Sequence, residues 1–276
     1  MTAKIAFQGE PGAYSHQACR EARPDMEAVP CATFEDTVDC VRRGDADLAM
    51  LPVENSTYGR VADIHHLLPE SGLCIIGEAF VRVHINLLAV PGTPIEQVKR
   101  AMSHTVLLGQ CRDFLRQHAI RPVTGADTAG SAHHVAELGD PSLAALASEL
   151  AGEIYGLDIL ARHIEDRSNN TTRFLVMARE MDLTRRAPDM MTSFVFRVRN
   201  IPAALYKAMG GFATNGVNMT KLESYMVGGS FSATQFYADI EGHPDDANVK
   251  LALEELGYFS SEVTILGTYP ADPRRR

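Results

Sequence analysis

Two short polar segments contain the residue types that can do chemistry in this chain. Glu54 and Asn55 follow the largely apolar run of residues 46–53, and Thr172 and Arg173 precede another apolar run. A guanidinium holds a carboxylate through a forked pair of donors, and a glutamic acid desolvated in a cleft can have its pKa raised toward neutrality. These side chains suit the binding of a small anion with acid–base help. On residue types alone, the simpler interpretation is a polar loop opening a buried strand, with Arg173 on the surface and Glu54 as an ordinary strand-end carboxylate.

The overall composition is that of an acidic globular protein. The chain of 276 residues is 45% hydrophobic and 22% charged, which excludes a disordered or fibrous protein. Its 26 Lys and Arg against 35 Asp and Glu give a formal net charge of −9, which disfavours a nucleic-acid-binding surface. An anionic substrate must therefore meet a local positive site.

The cysteines and the N-terminus indicate a cytoplasmic protein. The five cysteines are scattered and form no C-x-x-C pair, which argues against a disulfide framework or structural zinc. We expect reduced thiols. The N-terminus shows no basic stretch followed by an apolar one, and no apolar run reaches the roughly 18 residues of a membrane-spanning helix, so no membrane partner is expected.

Other catalytic and metal patterns are weak. In the pairs His65–His66 and His133–His134, adjacent side chains point apart on a helix and lack partners at ligand spacing, so no metal site is expected. Ser15–His16 and Ser103–His104 are sequence neighbours, whereas a nucleophile and its base meet in space with a third group. A hydrolase triad is therefore not supported. Residues 9–12 lack the G-x-G-x-x-G pattern of a dinucleotide site.

Hydrophobic periodicity predicts an α/β architecture for residues 1–182. The alternation begins with a strand at 4–9 and a helix from near Ser15, and the apolar runs between Leu73 and Val90 predict strands that cross between two lobes. Further strands are predicted at 46–56 and 171–179, and further helices at 34–45, 109–119, 128–139 and 143–156. Functional residues in such sheets usually lie at the carboxyl ends of the strands.

A second domain is predicted at 191–276, after a charged, proline-marked linker at 183–190. Its strands are predicted at 192–200, 217–226, 232–243 and 262–270, and its helices at 201–216 and 245–257. Pro202 is expected in the first turn of the first of these helices, and Gly228 and Gly229 are expected to join the middle strands. The βαββαβ order is ferredoxin-like.

Several separated motifs closely resemble those of the prephenate dehydratases. They are GEPGAYS (9–15), LPVENSTYG (51–59), HINLL (84–88), SHTVLLGQC (103–111), DTAGSA (127–132) and NNTTRFLV (169–176). The segments IPAALY and VNMTKLES resemble the phenylalanine-binding part of an ACT regulatory domain. The resemblance implies an α/β catalytic domain with two lobes like a type II periplasmic binding protein, the active site in the cleft between them, and a C-terminal ACT domain. It implies conversion of prephenate to phenylpyruvate, carbon dioxide and water in L-phenylalanine biosynthesis, without metal or organic cofactor.

The family motifs assign candidate site residues. Catalytic roles fall to Thr172, Arg173, Glu54, Asn55, Ser103 and Gln110, and substrate contacts to Ser15, Ser56, Thr128 and Phe174. Thr172 is expected to polarise the departing hydroxyl, since a threonine is too weak an acid to donate a proton alone, and Arg173 is expected to clamp a carboxylate. At Ser15 and Thr128, the backbone N–H groups of a helix start attract anions, although plain capping is the commoner role.

The ACT resemblance implies feedback regulation by L-phenylalanine. The implied contacts are Asn200, Ala203, Ala204, Leu205, Asn218, Leu222, Glu223 and Ser224. The chain departs from the family at Ala203, which replaces a glycine, and at Tyr225 and Met226, which replace arginine and proline. The affinity and effect of phenylalanine are therefore open. Because ACT domains pair, a homodimer or homotetramer is expected.

Two alternatives to prephenate dehydratase remain. An arogenate dehydratase would act on the substrate that carries an amino group in place of the keto oxygen. A cytosolic sensor would close two lobes on a small acid and perform no chemistry.

Overall fold

A computed structural model of the chain describes residues 2–226 and 233–275. They form two compact units, each assembled from separate stretches of the chain. Unit 1 contains Met1–Arg60 and Phe80–Phe174, and unit 2 contains Val61–Ala79 and Leu175–Arg276. The segment Val61–Ala79 thus groups with the C-terminal part of the chain, a departure from the simple sequential order of the predicted domains.

The first sheet of unit 1 follows the predicted alternation of strands and helices. Its parallel strands are β1 (Lys4–Gln8), β2 (Glu27–Cys31) and β3 (Leu48–Asn55), with helices α1 (Tyr14–Ala22) and α2 (Phe34–Arg43) between them in sequence. The short strand β4 (Gly59–Arg60) pairs antiparallel with the end of β3. A capping box starts α2, because Thr33 and Asp36 each accept the other's backbone N–H.

The second sheet of unit 1 has five strands, and the strand Leu143–Ala147 is the central one. The strands are β6 (Asn86–Ala89), β7 (Arg100–Ser103), β8 (Arg121–Thr124), β9 (Leu143–Ala147) and β10 (Asp158–Ala161). The helices of this part are α4 (Thr105–Gln110), α5 (Arg112–Gln117), α6 (Thr128–Leu138) and α7 (Glu149–Tyr155). Unit 1 therefore has the two sheet-based lobes that the sequence predicts.

Two crossing segments connect the sheets of unit 1. One, at 83–85, follows β5 (Cys74–Arg82), and the other, at 162–170, precedes β11 (Thr171–Ala178). They bond to each other, since Val83 N donates to Asn170 O at 2.9 Å and Ile164 N donates to Ile85 O at 2.9 Å. The crossing predicted between Leu73 and Val90 is confirmed.

The helix predicted at 143–156 is wrong over its first part. Leu143–Ala147 form β9, a central strand in which all five residues are buried. A strand covered on both faces is apolar at every position, so periodicity cannot distinguish it from a buried helix. Helix α7 begins only after Ser148, whose side chain accepts from Ala151 N. The helix predicted at 109–119 is likewise two short helices that meet at Cys111.

Unit 2 contains the predicted βαββαβ order. The strands are β12 (Met190–Val198), β13 (Met219–Met226), β14 (Ala233–Glu241) and β15 (Ser260–Pro270), and the helices are α8 (Ala204–Thr214) and α9 (Ala247–Phe259). The strands run antiparallel in the order β13-β14-β12-β15, the ferredoxin-like arrangement. Pro202 precedes α8 rather than lying in its first turn. The turn expected at Gly228 and Gly229 lies outside the described residues.

Both faces of the unit 2 sheet are covered. Phe236 packs in the cluster that α8 and α9 share with the sheet. The next residue, Tyr237, points the other way and meets the ring edge of His65 in α3 (Ala62–Leu67) at 5.2 Å. Helix α3 therefore lies on the face opposite α8 and α9, and the first part of β5 pairs with β15 in parallel.

Gly267 marks the closest approach between β15 and β5. A Cβ at this position would lie 2.6 Å from Ile75 Cβ and would collide with the Ile75 carbonyl oxygen. We expect Gly267→Ala to destabilise the protein by about 1–3 kcal/mol, as overpacking of a tight contact does. Urea unfolding measures the change. Gly257→Ala in α9, where nothing lies within 4 Å, is the matched control and should be neutral or slightly stabilising. Equal stability of both variants would contradict the expectation.

All five cysteines are free thiols in the structure. Within residues 2–226 and 233–275, no helix is long and apolar enough to cross a membrane.

Candidate functional site

The carboxyl end of β3 and the start of β11 lie side by side in unit 1. Ser56 N donates to Thr171 O at 2.9 Å, and Ser56 Oγ donates to Asn169 O at 2.7 Å and accepts from Thr171 N at 3.0 Å. The Ser56 hydroxyl thus joins the two backbones. As placed, its role is to fix the polar residues on either side, and the substrate contact expected from it stays a prediction.

Asn55 connects the two strand ends through its side chain. Its Nδ2 donates to Asn170 Oδ1 at 2.7 Å and to Thr172 Oγ1 at 3.0 Å. Its Oδ1 accepts from the backbone N–H groups of Thr57 at 2.9 Å and Tyr58 at 3.0 Å, which fixes the orientation of the amide. Because Thr172 Oγ1 accepts from this amide, its own O–H remains as a donor for another group.

The polar chain continues from Asn170 to the second lobe of unit 1. Asn170 Nδ2 donates to Gln110 Oε1 at 3.0 Å, and both residues are at most 9% exposed. Gln110 ends α4, so the network joins the β3 and β11 ends to a helix of the other lobe. The structure brings the predicted residues Asn55, Thr172 and Gln110 together, with Asn170 as the bridge.

Arg173 and Glu54 lie on the opposite face of their strands. Successive strand residues alternate between faces, so Arg173 points away from the face of Thr172, and Glu54 from that of Asn55. Arg173 Nη1 donates to Glu54 Oε1 at 2.9 Å, with side-chain exposures of 2% and 30%. The positive charge is already balanced by a carboxylate. This placement gives no support to Arg173 as a substrate clamp or to Glu54 as a proton donor, and both roles stay predictions.

The other predicted residues of unit 1 are spread over several elements. Ser103 is fully buried and donates to Leu146 O at 2.7 Å, and Phe174 is 1% exposed within the core. Ser15 and Thr128 lie at the starts of α1 and α6, as predicted. Neither is the capping residue, since Ala13 and Asp127 hold those positions.

Asn170 was not predicted as a site residue. The doublet Asn169–Asn170 stands directly before the Thr172 motif, and Asn170 is only 2% exposed. An asparagine is among the residues most often found in turns, so its type alone does not distinguish a bridging amide from a loop residue. Only the spatial neighbours Asn55 and Gln110 give it a role.

Ionisable groups beside the network are held neutral or are already bonded. Tyr14 donates to His84 O at 2.8 Å, and burial, with the nearby Cys111 and Glu165, raises the pKa of its phenol well above the usual value. Burial likewise raises the pKa of the Cys111 thiol, with Asp166 and Glu165 adding to the effect. Both groups therefore stay protonated, and a thiolate nucleophile is disfavoured.

The serine–histidine neighbours do not form catalytic pairs. His16 Nδ1 accepts from Gly12 N at 3.0 Å, and burial, followed by the charge of Arg20, lowers the pKa of His16. His104 Nδ1 accepts from Val106 N at 3.3 Å. These rings are bonded to backbone groups, as expected for structural histidines. In the described part of the chain, no group of three His, Cys, Asp or Glu side chains is placed to hold a metal ion.

A cavity of about 420 Å³ opens beside the Asn170–Gln110 pair in unit 1. Its lining includes Tyr58, Gly109, Gln110, Arg112, Arg167 and Asn170. Pockets for small-molecule ligands have volumes of roughly 300–1,000 Å³. The network therefore borders a space large enough for a small substrate.

The candidate regulatory residues of unit 2 lie at the start of α8 and along β13. Leu205 and Leu222 pack against the same core cluster, and Asn218 O accepts from Glu241 N at 3.0 Å. Ala203 has φ +61°, a left-handed conformation that favours glycine, the residue the family has there. Tyr225 is buried and its hydroxyl accepts from Gln235 Nε2 at 2.7 Å. Of the remaining candidates, Ala204 begins α8, Glu223 and Ser224 lie in β13, and Asn200 lies in the loop between β12 and α8.

Comparison with known proteins identifies the family. The family model "Prephenate dehydratase" matches residues 5–182. The chain is 52% identical to a bifunctional N-acyl-homoserine lactone acylase/prephenate dehydratase of Komagataeibacter europaeus, over 99% of this chain and 97% of that protein. It is 39% identical to arogenate dehydratase/prephenate dehydratase 1 of Arabidopsis thaliana, over 98% of this chain and 72% of that protein.

A solved structure extends the similarity to three dimensions. The prephenate dehydratase of Arthrobacter aurescens in complex with L-Phe superposes with a TM-score of 0.90 at 31% identity, covering 99% of this chain and 91% of that one. This match confirms the predicted α/β fold. The chain therefore belongs to the prephenate dehydratase family of lyases.

Proposed function

We propose that the chain converts prephenate to phenylpyruvate, with Thr172 acting on the departing hydroxyl. The ring C–CO₂⁻ bond breaks, its electron pair enters the ring, and the C–O bond to the ring hydroxyl breaks on the opposite side of the ring. Carbon dioxide leaves, and the departing oxygen takes a proton to become water. Aromatisation supplies the driving force, so the protein must chiefly position the substrate and assist the leaving oxygen.

The arrangement around Thr172 is the observation that carries this proposal. Its Oγ1 accepts from Asn55 Nδ2 at 3.0 Å, so the O–H is left to donate toward the leaving oxygen. Asn170 holds the Asn55 amide in place and is itself bonded to Gln110 of the other lobe. A pre-aligned donor at a developing oxyanion costs no reorganisation during reaction, which is the basis of electrostatic catalysis. Because a threonine is a weak acid, the proton that completes the water comes through a relay or from solvent.

Phenylpyruvate formation by the purified protein tests the proposal. Prephenate and arogenate, assayed side by side, separate the two dehydratase activities, since several relatives are named for arogenate. We expect turnover of prephenate. Tight binding of prephenate without turnover would favour the sensor, and turnover of arogenate alone would favour the alternative enzyme.

The acylase activity in the name of the Komagataeibacter europaeus protein gains no support from the site. Amide hydrolysis by a serine enzyme needs a nucleophile bonded to an oriented base. Ser103 donates to Leu146 O, and His16 and His104 accept from backbone N–H groups. We therefore propose the lyase activity alone.

We further propose that L-phenylalanine binds unit 2 and inhibits turnover. The βαββαβ order, the motif residues at α8 and β13, and the L-Phe complex of the Arthrobacter aurescens relative support this regulation. Pairing of ferredoxin-like units in a homodimer or homotetramer would place the ligand at a junction between subunits.

Added L-phenylalanine is expected to lower the rate of phenylpyruvate formation at subsaturating prephenate. An effector inhibits only if it binds two states of the protein with different affinity. The initial rate is measured with L-phenylalanine and, as a matched control, with D-phenylalanine. A rate unaffected by the L-isomer would contradict the regulatory proposal, leave the catalytic one standing, and direct attention to Ala203, Tyr225 and Met226.

A further inference from the structure

Prephenate carries two carboxylates, yet the protein has a net charge of −9. Arg173 is poorly placed to supply the positive site that such a substrate needs, because its guanidinium lies 2.9 Å from Glu54 Oε1 and its side chain is 2% exposed. Other cations of unit 1 are therefore better candidates to meet the substrate. The cavity beside Asn170 and Gln110 contains them.

Arg112 and Arg167 both line this cavity. The Arg112 guanidinium lies beside Gly109, since a Cβ built there would lie 3.7 Å from Arg112 Nη2 and 3.3 Å from Tyr58 Oη. Tyr58 Oη in turn donates to Val106 O at 3.2 Å. The Arg112 guanidinium and the Tyr58 hydroxyl thus flank Gly109, a lining residue of the cavity that has no side chain.

Two acidic residues that line the cavity, Glu165 and Asp166, are bonded to other groups of the protein. Asp166 accepts from the backbone N–H groups of Arg112 at 3.0 Å and Asp113 at 3.2 Å. Glu165 accepts from Ile85 N at 2.9 Å and lies 3.0 Å from His84 Nδ1. These carboxylates direct their oxygens at the protein.

Among the residues that the structure describes, the guanidiniums of Arg112 and Arg167 have no carboxylate partner. A third arginine that lines the cavity, Arg116, does have a carboxylate partner, since its Nη1 lies 3.7 Å from Asp113 Oδ1. Across residues 2–226 and 233–275, no carboxylate lies within 4.0 Å of the guanidinium of Arg112 or Arg167. Two unpaired guanidiniums beside a small cavity are suited to a forked contact with a carboxylate.

We propose that Arg112 and Arg167 form a subsite for the side-chain carboxylate of the substrate, the one retained in phenylpyruvate. The inference rests on the proposed dehydratase function. The carboxylate that leaves as carbon dioxide loses its charge in the transition state, and a strong cationic contact to it would stabilise the ground state and slow the reaction. Arginines are therefore suited to the carboxylate whose charge does not change. The ring hydroxyl lies at the far end of the ring from this side chain, in keeping with Thr172 at the other end of the Asn55–Asn170–Gln110 network.

This assignment has two consequences for ligands. Phenylpyruvate keeps the same carboxylate, so the product binds the subsite. Arogenate also keeps it, so the subsite does not distinguish the two substrates.

Steady-state kinetics of Arg112→Gln, Arg167→Gln and the double variant test the subsite. We expect KM for prephenate to rise and kcat/KM to fall roughly 10- to 100-fold, the range for a lost hydrogen bond to a charged group, with kcat changed much less. Inhibition by added phenylpyruvate should weaken in parallel. Arg112 is exposed and only its backbone N–H holds Asp166, so the variant should fold normally.

Arg121→Gln is the matched control, since Arg121 is an exposed arginine of β8 that does not line the cavity. It makes the same change in net charge and should leave KM unchanged. A double variant with the KM and phenylpyruvate inhibition of the wild type would overturn the subsite. So would a fall in kcat at unchanged KM, because that result would place the arginines at the reacting centre.

Calorimetric titration with phenylpyruvate separates failure of the subsite from failure of the proposed function. If the wild type lacked turnover, the dehydratase proposal would fail. Weaker phenylpyruvate binding by Arg112→Gln, but not by Arg121→Gln, would still support a carboxylate subsite. Equal binding by all three proteins would overturn it.

Discussion

Replacement of Thr172 by valine is expected to lower kcat for prephenate by about 10²- to 10⁴-fold, the usual contribution of a positioned proton-donating group. Valine keeps the β-branched shape and removes only the hydroxyl. The donor aimed at the leaving oxygen is lost, whereas the groups that bind the carboxylates are untouched. KM should therefore change little, because the interaction is made mainly in the transition state.

The network around Thr172 should survive the substitution. Asn55 Nδ2 keeps its bond to Asn170 Oδ1 at 2.7 Å, and Asn55 Oδ1 keeps its two backbone donors. A lost neutral hydrogen bond costs about 1 kcal/mol of stability. A large fall in kcat with a small change in the unfolding midpoint would thus report catalysis rather than folding.

Thr171→Val is the matched control for this experiment. Thr171 is the preceding residue of the same strand and points to the opposite face, where its Oγ1 accepts from Arg82 Nη1 at 3.4 Å. The same chemical change there should leave kcat within a few-fold of the wild type. Unchanged turnover in Thr172→Val, or equal losses in both variants, would refute the role of Thr172.

The local pattern of the sequence predicts most elements because each one depends on nearby residues. The strand at 4–9 and the helix at 34–45 carry their own periodicity and turn residues, and the ferredoxin-like order follows from such signals in sequence. The pattern fails at Leu143–Ala147, where burial on both faces removes any periodicity. The grouping of Val61–Ala79 with unit 2 depends on contacts far along the chain, which no local pattern contains.

Local sequence patterns likewise cannot show which side chains meet at the site. Asn55 and Thr172 are 117 positions apart, and only the fold brings their polar atoms together. One feature was accessible from the sequence. If 171–179 is a strand, then Thr172 and Arg173 must point to opposite faces, so the two cannot both reach one ligand from the same side. The strand period alone therefore places the Thr172 hydroxyl and the Arg173 guanidinium on different faces.

The pair of Arg173 and Glu54 leads to the largest expected effect on stability. The Arg173 side chain is 2% exposed, and Glu54, at 30%, is in contact with solvent. Removal of one member of a buried ion pair leaves the other charge uncompensated and costs about 3–5 kcal/mol. We expect Glu54→Gln to lose about this amount, because it removes the carboxylate that accepts from the buried Arg173 guanidinium.

The double variant distinguishes a buried ion pair from a substrate clamp. Arg173→Met removes the buried charge and leaves a carboxylate that water can reach, so it should cost less than Glu54→Gln, and Glu54→Gln/Arg173→Met should be more stable than Glu54→Gln alone. Urea unfolding measures all three. Asp39→Asn, which breaks an exposed pair with Arg42, is the control and should cost at most about 1 kcal/mol. If Glu54→Gln were as stable as the wild type while Arg173→Met raised KM, the arginine would bind substrate after all, and the argument that directs the carboxylate to Arg112 and Arg167 would lose its first step.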